Sequence, residues 1–156
     1  MPGMTVTPDE LADVRAGRLE IVRVEDEGGL ALAAQVAATG FGAPLTSMLA
    51  LYALELLELS GMVVYVGRVD GDTATTAICY QAHEDAGIFS VATLPAHRRR
   101  GYGAAITAHA ARSSFENGAD LAWLQTSAIG ESVYRRLGFR HVATHMMLSR
   151  PTPPGP

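Results

Sequence analysis

The stretch from His97 to Ile106, HRRRGYGAAI, combines residue types that bind anions. Three consecutive arginines, Arg98–Arg100, lead into Gly101 and Gly103, and an alanine-rich helix pattern follows. The N-terminus of a helix presents free N–H groups and a partial positive charge, so it attracts anions even without side chains. Glycine lets the backbone approach a ligand closely, and arginine donates charge-assisted hydrogen bonds to phosphate oxygens. The stretch therefore predicts a polyphosphate site at the start of a helix.

Two common phosphate-binding loops do not fit this stretch. A Walker-type loop needs a lysine followed by serine or threonine after its second glycine, and this chain has no lysine there. A dinucleotide-binding fingerprint needs a third glycine where Ile106 stands, and an acidic residue at the end of the next strand. Asp120 has nearly the required spacing but precedes that strand. Neither loop accounts for the pattern.

The composition restricts the class of protein and its partners. The chain has 156 residues, of which 48% are hydrophobic and 18% charged, as expected for one globular domain. The net charge of −4 opposes nucleic-acid binding, which usually needs a basic surface. The arginine triplet therefore provides positive charge at one site only, unless it is simply a run of solvated charges. We expect no nucleic-acid partner.

Cysteine usage and the apolar segments indicate the compartment. The single cysteine, Cys79, excludes an internal disulfide and lies in a predicted strand, where we interpret it as a small buried hydrophobic residue. The first residues show no basic region followed by an apolar one, so no secretory signal is predicted. The longest apolar region, Leu45–Leu59, is interrupted by Glu55 and Glu58, which favours a well-buried helix over a membrane span. We expect a cytoplasmic protein without a membrane partner.

The first half of the chain reads as helices and strands in alternation. The sequence TPDE at Thr7–Glu10 has the form of a capping box and predicts a short helix ending near Gly17. A strand is predicted over Leu19–Asp26, followed by a helix that ends at Gly40. A second helix is predicted from Leu45 to Ser60.

The second half begins with a predicted hairpin at Asp70-Gly71, a turn signal between two β-rich runs. A further strand leads into the glycine–arginine stretch, and a helix, a strand, a short helix and a last strand follow. This order predicts an α/β fold with a mixed sheet. The proline-rich end, residues 151–156, is predicted to be a disordered tail.

Arg98, Gly101 and Gly103 also satisfy the pattern [Arg/Gln]-x-x-Gly-x-[Gly/Ala], the coenzyme A pyrophosphate turn. With this pattern the sequence resembles the GNAT superfamily of N-acetyltransferases. SVATLPAHRRRGYGAAI resembles the family's fourth strand, proline and turn, and LQTSAIGESVYRRLGFR resembles its fifth strand, short helix and Tyr-x-x-Leu-Gly-Phe ending. The likeness is clear over Ile78–Val142, and the element order extends it back to Leu19.

The resemblance implies a definite architecture. It predicts a single α/β domain of GNAT type over residues 19–150, with a mixed, mostly antiparallel sheet of about six to seven strands flanked by helices. The sheet is expected to splay between its fourth and fifth strands. Residues 1–18 are then an N-terminal extension containing the short helix.

The resemblance also implies a coenzyme site, with acetyl-CoA as co-substrate and no metal. The backbone amides from Arg99 to Ala104 would hold the pyrophosphate, and Arg98 would fix the turn. The end of the fourth strand would pair with the pantetheine arm as if it were an added strand. Ser127 either touches the coenzyme or caps the short helix. The implied coenzyme-binding residues are Val91, Ala92, Thr93, Arg98, Arg99, Arg100, Gly101, Tyr102, Gly103, Ala104 and Ser127.

By the same resemblance, Tyr134 lies directly before RRLGF, at the position of the family's general-acid tyrosine. A phenol with a pKa of about 10 stays protonated at neutral pH and can donate to a thiolate, whose acid form has a pKa of about 8.5. The alternative is that Tyr134 only packs beside Leu137 and Phe139. The resemblance favours the catalytic role.

A general base is harder to find. Many family members use a glutamate on or near the fourth strand, but IFSVATL carries no carboxylate. Glu84 and Asp85 lie in the preceding turn, and Glu25 or Asp26 could approach from the first predicted strand. Ser90 and Thr93 could only position water. A water route to solvent would also suffice.

Two other catalytic classes are not supported. His141 and His145 lie on a predicted strand about 13 Å apart at 3.3 Å per residue, which is too far for a shared metal ion. No Gly-x-Ser-x-Gly sequence occurs, which opposes a serine hydrolase.

These observations predict an acetyl-CoA-dependent N-acetyltransferase in which an amine attacks the bound thioester directly. The acceptor is a small-molecule or peptide amine that the sequence does not specify, and the loop containing Phe41 is expected to wall its pocket. The alternative is a regulatory domain that binds acetyl-CoA without turnover. A homodimer is possible, since dimers are common among relatives.

Overall fold

The computed structural model describes residues 1–146, in which a seven-stranded sheet is flanked by helices. The strands are β1 Pro2–Val6, β2 Leu19–Arg23, β3 Met62–Val69, β4 Asp72–Ala82, β5 Asp85–Thr93, β6 Leu121–Gln125 and β7 Arg140–Thr144. The helices are α1 Glu27–Phe41, α2 Leu45–Leu51, α3 Glu55–Glu58, α4 Tyr102–Glu116 and α5 Glu131–Arg136, with a 3₁₀ turn at Pro95–His97. The predicted disordered tail, residues 151–156, lies outside the described residues.

The strands lie in the order β2-β3-β4-β5-β6-β1-β7. Every neighbouring pair is antiparallel except β5 and β6, which are parallel. A parallel pair needs a crossover connection, and α4 provides it. The predicted mixed, mostly antiparallel sheet of six to seven strands is confirmed.

Helices cover both faces of the sheet. Successive residues of a strand point to opposite faces, and on β3 Tyr65 packs in the cluster beneath α4 whereas Val64 packs in the cluster beneath α1. The α4 side that meets the sheet is lined by small residues, among them Ala105, Ala108 and Ala111, each at most 3% exposed. The alanines therefore allow a close approach of helix to sheet in addition to favouring the helix itself.

The short N-terminal helix predicted within residues 1–18 is wrong. Residues 2–6 instead form β1, which lies inside the sheet between β6 and β7 and buries Met4 and Val6. The capping-box contact does form, since the Thr7 amide donates to Glu10 Oε2 at 3.3 Å. It caps only one turn, because the Ala12 amide bonds to the Leu137 carbonyl at 3.0 Å instead of continuing a helix. A tertiary partner thus outcompetes the local signal.

The first predicted helix, which corresponds to α1, is longer than predicted. The first continues past Gly40 and ends at Gly42, whose φ of 65° suits a glycine cap. Gly40 lies within α1, where the helix touches β5: an added Cβ would stand 2.9 Å from Ala92 Cβ.

The hairpin at Asp70-Gly71 is confirmed, with φ of 52° and 91° at the two residues, as a type I′ turn needs.

The long buried helix predicted from Leu45 to Ser60 is also wrong. The chain breaks into α2 and α3 around Tyr52, which turns inward and is 3% exposed. The leucines nearest to this buried ring on either side are exposed, Leu51 by 50% and Leu54 by 49%. The apolar run that suggested a buried helix is therefore largely a surface feature.

Gly138 joins the N-terminal segment to the end of α5, and its replacement should be costly. Its φ is 96°, and an added Cβ would stand 2.0 Å from the Glu10 carbonyl oxygen. We expect Gly138→Ala to lower the free energy of unfolding by about 3 kcal/mol or more, from backbone strain plus overpacking. Urea denaturation would measure the loss.

Gly118→Ala is the matched control, because Gly118 has a φ of 94° and open space around the added Cβ. This variant should lose only about 1–2 kcal/mol, the cost of the left-handed conformation. Equal losses in the two variants would contradict the assigned backbone clash.

Candidate active site

The site begins where β5 leaves β6. The two strands pair in parallel from Asp85↔Leu121 to Ile88↔Leu124, and within the described residues the pairing goes no further. The remaining half of β5, up to Thr93, therefore presents backbone groups to an open cleft. The sequence blocks that resemble the family's fourth and fifth strands lie at β5 and β6 of this chain. The splay predicted between those two strands is therefore confirmed.

A β-bulge in β5 accompanies the splay. Phe89 pairs with Ile78 and Ala92 with Thr76, so β5 has one more residue than β4 over this interval. Ser90 takes up the difference with a φ of 52°, which is strained for a residue with a side chain. Its hydroxyl lies 2.7 Å from the buried Tyr52 hydroxyl, so a hydrogen bond anchors the bulge from the α1 face.

The glycine–arginine stretch forms the turn into α4. Gly101 caps the helix with a φ of 79°, and the first helical bond runs from the Ala105 amide to the Gly101 carbonyl at 2.9 Å. The amides of Tyr102, Gly103 and Ala104 consequently have no acceptor within the helix. An added Cβ on Gly101 would meet no atom within 4 Å. Open space therefore faces unpaired amides, as an anion site requires.

A cavity of about 670 Å³ lies against these amides. It is bounded by the end of β5, the start of α4 and one side of α5, and the adjoining N-terminal segment contributes Val14. Of the residues predicted from the sequence, the cavity brings together Thr93, Arg98, Arg99, Gly101, Tyr102, Gly103 and Ala104. Ala92 and Arg100 do not line it: Ala92 is buried and Arg100 is exposed.

Arg98 has a structural role in this turn. Its Nε donates to the Thr93 carbonyl at 3.3 Å, and its Nη2 donates to the Gly40 carbonyl at 2.7 Å. The guanidinium thus ties the end of β5 to the end of α1. This agrees with the prediction that Arg98 fixes the turn, and it leaves Arg99 to supply charge to the cavity.

Besides three apolar residues, sequence reasoning missed two residues of this cavity that carry polar side chains. Arg136 reaches it from α5, and His97 lines it from the 3₁₀ turn. His97 Nδ1 is buried without a hydrogen-bond partner among the described residues. A buried unpaired nitrogen costs free energy, so it is a group that a ligand could satisfy. The arginine triplet that directly follows His97 made this residue look like part of an ordinary charged surface.

A second cleft, of about 420 Å³, continues along β5 beyond the bulge. Tyr134, Ser90 and Val91 line it, and Phe41 borders it as predicted for an acceptor wall. Ser127 also lines it, and the Ser127 hydroxyl accepts from the Gly130 amide at 3.2 Å just before α5. This contact stabilises the turn before α5, whose N-cap is Gly130 and has no side-chain cap, so both roles considered for Ser127 stay predictions.

Tyr134 both packs and faces the cleft. Its ring meets Phe139 edge-on, with 6.0 Å between ring centroids. Burial raises the pKa of the Tyr134 phenol, and the neighbouring Thr107 hydroxyl opposes this to a lesser degree. The phenol therefore stays protonated at neutral pH and remains able to donate. Packing and proton donation are compatible at this position.

The carboxylates considered as bases lie elsewhere. Asp85 begins β5, five residues before Ser90, which corresponds to about 16 Å of strand. Asp26 caps α1, with its Oδ1 accepting from the Gly29 amide at 2.7 Å. Neither lines the cleft beside Tyr134.

Cys79 and the histidines have structural surroundings. Cys79 is 3% exposed, its Sγ lies 3.1 Å from Ser114 Oγ, and burial raises the pKa of its thiol, which confirms the interpretation as a buried residue. His141 Nδ1 lies 3.3 Å from Glu131 Oε1. Within residues 1–146 no group of three or more potential metal ligands comes together. In the same residues no helix has the length and hydropathy needed to cross a bilayer.

Comparison with protein families finds a match over much of the chain. The family model described as the acetyltransferase (GNAT) domain matches residues 60–141, slightly more than half of the sequence. The matched region runs from the start of β3 into β7 and contains the turn, α4, β6 and α5. No curated protein matches the chain.

Solved structures share the fold. A GCN5-related N-acetyltransferase from Kribbella flavida is 26% identical with a TM-score of 0.68, and the match covers 90% of this chain and 53% of that one. This chain therefore spans about half the length of that protein. AAC(6')-Iy, solved with the bisubstrate analog CoA-S-monomethyl-acetylneamine, is 18% identical with a TM-score of 0.72, covering 86% of this chain and 99% of that one.

A third structure is the ribosomal-protein-S18-alanine N-acetyltransferase from Escherichia coli. It is 20% identical with a TM-score of 0.67, and the match covers 80% of this chain and 79% of that one. At these identities, this structure and AAC(6')-Iy establish a common fold and no more.

Proposed function

Since the chain belongs to the family of the acetyltransferase (GNAT) domain, a family of acyltransferases, we propose that it moves an acetyl group from acetyl-CoA to an amine. The amine attacks the bound thioester directly, so no covalent enzyme intermediate forms. One observation carries the proposal: β5 borders both a cavity lined by unpaired helix amides, at Thr93, and a cleft lined by Tyr134, at Ile88–Val91.

The residues of the first cavity fit the diphosphate of coenzyme A. The amides at the start of α4 offer hydrogen bonds that need no side chain, and the helix dipole adds to their attraction for an anion. Arg99 and Arg136 supply positive charge from opposite sides of the cavity. The open space before Gly101 lets phosphate oxygens approach the backbone.

The open edge of β5 fits the amide-rich arm of the coenzyme. Beyond Ile88 the strand has lost its β6 partner, and hydrogen bonds to an extended ligand would restore the pairing. The bulge at Ser90 ends this edge and changes its direction at the entrance of the second cleft. The thioester is therefore assigned to the neighbourhood of Ser90 and Val91.

Tyr134 is assigned as the general acid. It lines the cleft with a protonated phenol, and the departing thiolate needs a proton. The oriented backbone N–H groups at the bulge supply electrostatic stabilisation to the carbonyl under attack. Holding the amine and thioester together supplies the remaining catalytic gain.

The alternative function is binding of acetyl-CoA without turnover. The distance of Asp85 from the bulge favours this alternative, because no strand carboxylate lies ready to deprotonate an ammonium. The placement of Tyr134 in the cleft opposes it, since a sensor has no need of a proton donor there.

Measurement of free thiol separates the two functions. The purified chain is incubated with acetyl-CoA and a panel of amines, and acetyl-CoA binding is measured in parallel by calorimetry. We expect thiol release that depends on the amine. Tight coenzyme binding without thiol release from any amine would contradict the enzyme and support the sensor.

The setting of the protein stays a prediction. The cytoplasmic location rests on cysteine usage. The acceptor class of small-molecule or peptide amines and a homodimeric state rest on the family resemblance.

A further inference from the structure

The walls of the second cleft consist of apolar and neutral polar groups. Phe41, Phe89, Leu124 and Tyr134 are among its apolar and aromatic residues. Gln125 and the hydroxyl residues beside it provide the polar groups. Within residues 1–146 no aspartate or glutamate lines the cleft, and residues 147–156 contain neither residue type. Among residues 1–146, no side-chain carboxylate therefore lines the space assigned to the amine.

Glu131 is the carboxylate that adjoins a lining residue of the cleft in the chain, since it follows Gly130. Its Oε1 is 2.6 Å from Arg135 Nη2 and 3.3 Å from His141 Nδ1. The hydrogen bond from Arg135, with a smaller contribution from His141, lowers the pKa of the Glu131 carboxyl. A carboxylate already paired in this way is a poor proton acceptor.

This cleft would bind and deprotonate an alkylammonium ion poorly. Its pKa of about 10.4 keeps it charged at pH 7, and desolvating a charge without a partner is unfavourable. The rings of Phe41 and Tyr134 can attract a cation, but they cannot remove its proton. An amine that enters the cleft in its neutral form avoids both the desolvation of a charge and the need for a proton acceptor.

Apolar surface also continues outwards from the cleft. Phe41 is 53% exposed at its border, and Leu45 and Leu49, which follow on α2, lie one helical turn apart. This strip suits an acceptor whose body beyond the amine is apolar.

We propose that the acceptor is a weakly basic amine, such as an aromatic amine, carried on an apolar ring-sized group. This inference rests on the proposed acetyltransferase function and identifies its substrate class. The lone pair of the neutral nitrogen forms the new bond to the acetyl carbon, and the thioester C–S bond breaks. One proton then leaves the acylated nitrogen for water, while the leaving thiolate receives a proton from Tyr134, which regains a proton from water before the next turnover.

The test compares p-toluidine with benzylamine. These compounds are isomers with the same apolar ring, and they differ mainly in basicity. Thiol release gives kcat/KM for each between pH 6 and pH 9. We expect the p-toluidine profile to be flat and the benzylamine profile to rise about tenfold per pH unit, following the neutral fraction of the amine.

Two outcomes distinguish failure of this inference from failure of the proposed function. Turnover of benzylamine without turnover of p-toluidine, or a benzylamine profile that levels off near pH 7, would overturn the inference and leave the acetyltransferase standing. Thiol release with neither amine nor any other, despite coenzyme binding, would overturn both.

An added carboxylate provides a second readout. Gln125→Glu places an isosteric carboxylate in the cleft, and Gln35→Glu makes the same change on the exposed surface of α1. We expect Gln125→Glu to raise kcat/KM for benzylamine at pH 7 by at least about tenfold relative to p-toluidine, as an introduced base would. Gln35→Glu should leave this ratio unchanged. Equal changes in the two variants would contradict the assignment of the cleft to the acceptor.

Discussion

Gly101→Glu is expected to weaken acetyl-CoA binding by at least about 100-fold. The new side chain would enter the open space before the α4 amides, where the diphosphate is assigned. A carboxylate about 4 Å from a phosphate charge costs about 4 kcal/mol at an effective dielectric constant of 20, and each 1.4 kcal/mol corresponds to a factor of ten. Isothermal titration calorimetry with acetyl-CoA would measure the loss.

Gly101→Asn is the matched control for this variant. Asparagine tolerates the left-handed conformation that Gly101 adopts at a φ of 79°, and it adds a side chain without charge. We expect its affinity to remain well above that of Gly101→Glu. Circular dichroism should show that both variants are folded, because no described atom lies within 4 Å of the added Cβ. Unchanged affinity in Gly101→Glu would place the diphosphate elsewhere.

Tyr134→Phe is expected to lower kcat by about 10²–10⁴-fold, with little change in the dissociation constant for acetyl-CoA. The substitution removes the phenolic proton but keeps the ring that packs on Phe139. Because burial raises the pKa of Tyr134, the donor form persists through neutral and mildly alkaline pH. The wild-type kcat should therefore decline only above about pH 10, and the variant should lack that decline.

Tyr80→Phe is the control for Tyr134→Phe. Tyr80 lies on β4 with 38% of its surface exposed and lines neither of the two cavities. Its kcat should match that of the wild type. An undiminished rate in Tyr134→Phe would reassign that residue to packing alone.

The sequence was most informative where local residues determine the structure. The Asp70-Gly71 turn, α4 and the glycine cap at Gly101 follow from the conformational preferences of a few adjacent residues. The turn into α4 with its unpaired amides was predictable for the same reason, since its amides and glycines lie within one short stretch. Family resemblance added the splay, which no local pattern encodes.

The remaining features depend on residues far apart in the chain. Tyr52 meets Ser90 across 38 positions, and this contact breaks the predicted long helix. Arg136 reaches the first cavity only because the fold brings α5 to a cavity that the start of α4 also lines. Neither contact has a signal in the local sequence. The bulge at Ser90 likewise carries no glycine or proline that would have marked it.

The position of β1 has a consequence for the order of assembly. This strand precedes the other six strands of the sheet in the chain, yet both of its neighbours, β6 and β7, lie more than a hundred residues later. During synthesis, residues 2–6 must wait until almost the whole domain has emerged before they can be enclosed. Such distant pairing is slow, because a large loop has to close before any contact compensates the lost entropy. The wall of the cleft that contains Tyr134 is therefore expected to be the last part of the newly made chain to reach its folded structure.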